Sequence, residues 1–235
     1  MTSAVRAEAP AVPPSRRPAL SAQDGALLLV SLIWGANFAV MKLALDHLPP
    51  LAFSALRFAS ATAVLWAIVW WREGPARLPK GALWPLLWLG VVGNTLYQLG
   101  FILGLARSTA TNTALIIAGV PAVVAVLGSL LGIEGTTARQ RWGIALGIAG
   151  VALVVLAKGR LRLGAGTLGG DLFTFGAMLC WSCYTLGLRS LPEGITPLRV
   201  TAWTMLTGTP GLVLVGLPEL THLAWGAVPL TAWAA

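Results

Sequence analysis

Seven stretches of this chain run for roughly 17–25 residues almost free of charge, the length a helix needs to cross the hydrocarbon core of a bilayer. They occupy residues 26–45, 51–71, 83–105, 109–133, 142–157, 172–188 and 200–217, and an eighth begins near Trp225. Inside lipid the backbone finds no water, so only helices and closed β-barrels can span it. None of the runs alternates with the two-residue period of a barrel strand. The expectation is an all-α integral membrane protein. Only 10% of the residues are charged and 57% are hydrophobic, against about 25% charged in a soluble domain. That balance excludes an ordinary globular enzyme, a disordered chain and a nucleic-acid binder. Two cysteines are too few for a disulfide framework.

Pro, Gly and charge fill the gaps: Asp46 to Pro50, Arg72-Glu73-Gly74-Pro75, Glu134-Gly135, residues 158–170 and Pro192-Glu193-Gly194. Connections this short make neighbouring spans antiparallel. The net charge of +8 then reads as an orientation signal. With the N-terminus inside, the cytoplasmic face collects Arg6, Arg16, Arg17, Arg72, Arg77, Lys80, Arg139, Arg141, Arg189 and Arg199. The outer face receives Lys42, Arg107, Lys158, Arg160 and Arg162. Ten against five predicts a multi-pass protein of the cell inner (plasma) membrane with a cytoplasmic N-terminus. Residues 1–23, rich in Pro, Ala and Arg, are expected to form a flexible cytoplasmic tail. Arg16-Arg17 precedes a full span with no cleavage site, so the pair reads as a topology anchor.

A shift of 147 positions lays the chain onto itself. It places Asp24 on Asp171, Trp34 on Trp181, Lys42 on Arg189, Asp46 on Glu193 and Pro50-Leu51 on Pro197-Leu198. Five spans separate the two starts, and an odd number inverts the second copy. This predicts an inverted-topology repeat of five-helix units, with a site near the midplane between them. The first unit is expected over 24–158, a linker over 159–170 and a second, incomplete unit over 171–235.

Ser31-Leu32-Ile33-Trp34-Gly35-Ala36-Asn37-Phe38, then Lys42-Leu43-Ala44-Leu45 with Pro49-Pro50 and Ala55-Leu56-Arg57-Phe58, resembles the opening of an EamA-type permease of the drug/metabolite transporter superfamily. Ala114 through Pro121 to Glu134, followed by Arg141-Trp142-Gly143-Ile144-Ala145-Leu146-Gly147, resembles its continuation. The resemblance covers most of residues 24–235. It implies ten helices in two inverted five-helix repeats, about seven and a half of them in this chain, and export of amino acids or related metabolites by alternating access. The aromatic amino-acid exporter branch is the most similar. Against that pattern the second repeat lacks about half its length, and the physical protein is expected to be longer.

Polar residues inside a span face a bundle interior or a watery path. Asn94, Tyr97 and Gln98 share one helical face, as do Ser108 and Asn112 with Thr109 and Thr113. Trp34, Asn37, Phe38 and Met41 share another, and Trp181, Tyr184 and Thr185 repeat that spacing. Trp34, Asn37, Tyr97, Gln98, Asn112, Trp181 and Tyr184 are therefore the candidate substrate-binding residues. Indole and phenol rings with a few amides suit a flat, partly apolar zwitterion. The competing reading is that the amides and hydroxyls only hydrogen-bond between helices. Trp66, Trp70, Trp71, Trp84 and Trp88 lie near span ends and read as interfacial anchors.

Lys42 and Arg57 are the cations within apolar sequence. Either they snorkel to the surface, Lys42 pairing with Asp46, or one meets a substrate carboxylate as a contact or gate. Every acid falls in the tail, a loop or a span end, and neither histidine lies at the midplane. A facilitator without a carboxylate relay is expected. Cys180-x2-Cys183 lies mid-span and reads as packing. Gly100-x3-Gly104 and Gly143-x3-Gly147 permit close helix approach, within the chain or between copies. Pro121 is expected to kink the fourth span. No metal or cofactor is expected; the partners are a small-molecule substrate and the lipid bilayer. The alternatives are an intramembrane lipid- or prenyl-modifying enzyme, which the scattered acids do not supply, and a non-transporting assembly subunit.

Overall fold

Proline, glycine and threonine set the helix limits. The computed structural model describes residues 22–75, 78–133, 135–157 and 165–227. Its helices are α1 (Ala22–Leu45), α2 (Pro50–Glu73), α3 (Leu83–Gly90), α4 (Tyr97–Arg107), α5 (Ala110–Ile117), α6 (Val120–Leu130), α7 (Ala138–Ala157), α8 (Ala165–Gly187) and α9 (Pro197–Thr221). A π-helical segment, Val91–Leu96, joins α3 to α4, and 3-10 turns follow α8 and α9. Among the described residues there is no strand. Among the described residues, five uninterrupted or jointed helices are long and apolar enough to cross a membrane: Asp24–Leu45, Pro50–Glu73, Leu83–Arg107, Ala110–Leu130 and Pro197–Thr221. The tail 1–21, Arg77, Glu134, Lys158 with Arg160 and Arg162, and the rest of the eighth span lie outside the described residues.

Local chemistry explains the boundaries. α2 and α9 start on Pro50 and Pro197, which have no amide hydrogen to leave unpaired in a first turn. Thr109 and Thr196 cap α5 and α9, their hydroxyls accepting from Asn112 N at 3.0 Å and Arg199 N at 3.2 Å. α2 stops at Gly74, which adopts φ +67°. The fourth span breaks at Ala118-Gly119, one turn before the point where Pro121 withholds its amide, so α5 and α6 are separate helices. α8 begins at Ala165, so the last six residues of the expected linker are helical and Asp171 stands inside a helix.

By contact the chain divides into Met1–Asn37 and Phe38–Ala235. In the first unit the leading part of α1 carries Trp34 and Asn37 on one helical face, and Ser31 Oγ donates to Leu27 O at 2.8 Å.

The second unit is organised by two helix pairs. In the first, Gly100 and Gly104 of α4 lie against Gly170, Phe173 O, Thr174 and Ala177 of α8, too close for a side chain. The Gly-x3-Gly motif at 100–104 thus serves internal packing, as small residues do between membrane helices. Gly143 and Gly147 instead line an open groove of about 530 Å³ beside Pro121 and Gln140.

The second pair is α2 with α9, and it is antiparallel. Glu219, near the end of α9, accepts the amides of Leu51 (2.7 Å) and Ala52 (2.8 Å) at the start of α2. Glu73, ending α2, binds Arg199 Nε at 2.7 Å and Thr196 Oγ1 at 2.9 Å at the start of α9. Each helix thereby holds the amino end of the other with its terminal carboxylate, where the helix dipole favours negative charge. Midway, Thr62 and Thr209 share a hydrogen bond of 2.8 Å. These two threonines are 147 residues apart, the offset of the sequence repeat. Positions that the repeat makes equivalent meet each other, as they must on a pseudo-twofold axis.

Candidate functional site

Ring contacts trace a continuous aromatic ladder. Phe38 on α1 meets Phe101 on α4 edge-on, centroids 5.6 Å apart. Phe101 stacks on Tyr97 at 5.8 Å, Tyr97 meets Trp181 of α8 at 4.7 Å, and Trp181 meets Tyr184 at 5.1 Å. Two helical spacings produce it: Tyr97 and Phe101 at i, i+4 on α4, Trp181 and Tyr184 at i, i+3 on α8. The lower end of the ladder depends on Gly93 in the π segment. The Tyr184 ring occupies the space where a side chain at 93 would stand.

At the end of the bundle that carries Pro49-Pro50, the ladder runs into an apolar plug of Met41, Ala44, Leu48, Phe53, Phe101, Ile102, Leu105 and Ala177. Arg57 lies one helical turn deeper than Phe53, and Tyr97 one turn deeper than Phe101. Arg57 Nη1 stands 3.1 Å from Met41 Sδ, and the guanidinium lies 5.5 Å from the Phe58 centroid and 6.0 Å from that of Phe53. Gln98 is 1% exposed, and its Nε2 has no hydrogen-bond partner among the described residues. It shares the α4 face of Phe101, Ile102 and Leu105, so an amide donor is buried on the deep side of the plug. Such an orphan costs about 1–3 kcal/mol unless something accepts from it.

The other predicted residues fall elsewhere. Asn112 sits at the corner between α4 and α5, its Nδ2 3.3 Å from both carboxylate oxygens of Asp171. Ser108 Oγ donates to the same carboxylate at 2.5 Å. The Ser108–Asn112 stripe therefore fastens this corner to α8. Lys42 does not pair with Asp46. Its ammonium donates to Leu105 O at 2.7 Å and Ser108 O at 3.0 Å. The last carbonyls of α4 lack helical partners and give the ammonium two hydrogen bonds at the negative end of the helix dipole, whereas an ion pair with a carboxylate in an exposed turn gains little in water. Trp34 and Asn37 belong to the other unit, Trp34 with 57% of its surface exposed. Trp70, Trp71, Trp84 and Trp88 are exposed as anchors should be. Trp66 is not. It packs edge-on against Trp203 at 5.2 Å and donates to Ala202 O at 3.1 Å, between α2 and α9.

Sequence reasoning missed Phe101, the partners of Asp171 and the π segment. Gly90 and Gly93, a pair of glycines in mid-span, were the only trace of the last.

A bundle of antiparallel apolar helices, paired across a pseudo-twofold axis and holding aromatic and cationic side chains in its interior, is the architecture of a repeat-built membrane transporter rather than an enzyme. Comparison makes the class specific: the EamA-like transporter family matches residues 23–156, and the chain belongs to it. The uncharacterized transporter YyaM of Bacillus subtilis (strain 168) is 32% identical over 89% of this chain and 69% of its own length. The S-adenosylmethionine/S-adenosylhomocysteine transporter of Chlamydia trachomatis serovar L2 is 28% identical over 88% of this chain and 65% of its own. A probable amino-acid metabolite efflux pump of Salmonella typhimurium is 32% identical over 70% of this chain and 52% of its own. The chain thus spans about two thirds or less of the length of these relatives. One crystal structure shares the fold at a TM-score of 0.62 and 19% identity, covering 84% of this chain and 75% of that one.

Proposed function

We propose that this protein carries amino acids or amino-acid-derived metabolites with a flat, partly apolar group across the inner (plasma) membrane, by alternating access. The reading rests on one observation: a part-buried guanidinium at the depth of Tyr97, near the plugged end of a ladder of five rings. Arg57 offers a contact for a carboxylate, and Gln98 offers an unused amide donor at the same depth. Tyr97, Trp181 and Tyr184 offer π faces to a ring. Trp34, the repeat partner of Trp181, and Asn37 carry the same chemistry on the leading part of α1. Relatives whose names specify S-adenosylmethionine or amino-acid metabolites support this substrate range. An aromatic amino acid is the simplest molecule that uses both the guanidinium and the rings.

Transport is passive in this proposal, since the acids of the described residues stand at helix ends or, for Asp171, within the hydrogen-bonded corner. Proteoliposomes holding the full protein, loaded with labelled phenylalanine or tryptophan, test both points. Trp181→Ala and Arg57→Gln are expected to lower flux at least ~10-fold, the loss of about 1.4 kcal/mol of binding or more. A protonophore is expected to leave wild-type flux unchanged. Flux that survives both substitutions refutes the site, and flux abolished by the protonophore refutes passive transport.

A further inference from the structure

We propose that the corner between α4 and α5 is a monovalent-cation site, and that the ammonium of Lys42 is its tethered occupant. Two backbone carbonyls, Leu105 O and Ser108 O, converge on Nζ at 2.7 and 3.0 Å. They converge because α4 ends at Arg107, α5 starts at Ala110, and Ser108 between them is extended (φ −127°, ψ −170°). The carbonyls of a terminated helix carry the negative end of its dipole, and helix ends of this kind coordinate alkali ions in membrane transporters. Behind them lies a carboxylate. Ser108 is the link, giving its carbonyl to the ammonium and its hydroxyl to Asp171 at 2.5 Å. Asn112 Nδ2 steadies that carboxylate, 3.3 Å from both of its oxygens.

The donor set is all oxygen. One carboxylate and the partial charge of a helix end balance a single positive charge, not two. The ammonium is covalently carried by the last turn of α1, so the cation joins α1, the α4–α5 corner and α8. The repeat puts Arg189 at the position equivalent to Lys42, so both copies keep a fixed cation there. The site stands apart from the substrate reading, because the hydrogen bonds of Lys42 go to the corner carbonyls and not to the aromatic ladder.

The test is thermal unfolding of the purified full protein in detergent, in sodium chloride, methylammonium chloride or choline chloride at equal concentration. The wild-type midpoint is expected to be the same in all three. Lys42→Ala is expected to unfold several degrees lower in choline, and to regain most of the loss, saturably, in sodium or methylammonium. A ligand that binds only the folded state acts in this way. The rescue is expected to vanish in Lys42→Ala/Asp171→Asn. Lys42→Met, which fills the space of the stem without a charge, is expected to stay low in every salt. A Lys42→Ala protein indifferent to the added cation overturns the proposal, as does a rescue that persists without Asp171. If Lys42→Ala yields no folded protein in any salt, Lys42→Met decides: stability equal to wild type overturns the site.

Discussion

A methyl group added at Gly93 collides with the ring of Tyr184. The neighbour that must yield is a ring held between Trp181 and the π segment, and not a flexible side-chain tip. Gly93→Ala is therefore expected to destabilise the bundle by about 1–3 kcal/mol, the usual cost of overpacking. Displacing Tyr184 also disturbs Trp181, so a shift in tryptophan emission should accompany the loss; an unaltered spectrum and midpoint would show that the ladder does not rest on this glycine. Single residues were legible in the sequence to different degrees. Trp181 and Tyr184 announced themselves by spacing on one helix, and Tyr97 did the same on another. Their meeting did not show, because a contact between helices leaves no periodicity in either. Lys42 was marked as unusual, yet its partners are backbone carbonyls, which have no residue type to read. Trp66 looked like an anchor by its distance from Arg72, although the face it occupies is set by Trp203, more than a hundred positions away.

Helices were far easier to read than their interruptions. The length of each apolar run and the prolines at 50 and 197 located α2 and α9 to within a few residues, since both features act locally. The π segment arises because α3 and α4 must present different faces: Gly90 to Thr204 and Thr207 of α9, Gly100 and Gly104 to α8. That requirement is tertiary and left only glycines behind. The α2–α9 pair shows the opposite case, where the repeat itself foretold a contact. Thr62 and Thr209 pair because they are symmetry equivalents, and carboxylates close both ends of the pair. So tied, α2 and α9 should move as one post while the remaining helices rearrange about it. Thr62→Cys/Thr209→Cys, with Cys180 and Cys183 replaced by serine, is expected to form a disulfide readily under mild oxidation. Its flux in proteoliposomes should stay within about twofold of the reduced protein, a barrier difference of roughly 0.4 kcal/mol. Cross-linking that arrests transport would make this interface a moving one. A cycle of Thr→Val substitutions at the same pair should give single losses of about 0.6–1.7 kcal/mol, the range for hydrogen bonds between membrane helices. The double variant should lose less than the sum.

At the scale of the whole molecule, the charge that reads in the sequence as an orientation signal sorts by end. Of the described cations, Arg72, Lys80, Arg139, Arg141, Arg189 and Arg199 lie toward the Glu73 end of the bundle, while Lys42 and Arg107 lie toward the Pro49-Pro50 end. Those two are engaged within the fold: Lys42 with the carbonyls of α4, and Arg107 over the Phe173 ring at 5.1 Å. Among the described residues, therefore, the Glu73 end carries six of these cations and the Pro49-Pro50 end two. Positive charge near span ends is retained in the cytoplasm, so the Glu73 end should face inward and the apolar plug outward. Single cysteines at Lys80 and His47, both exposed positions at opposite ends, report this directly in a background with Cys180 and Cys183 changed to serine. In intact cells a membrane-impermeant maleimide is expected to label His47→Cys at once and Lys80→Cys only after permeabilisation. The reverse pattern would invert the protein in the membrane, and would turn the plug from an outer gate into an inner one.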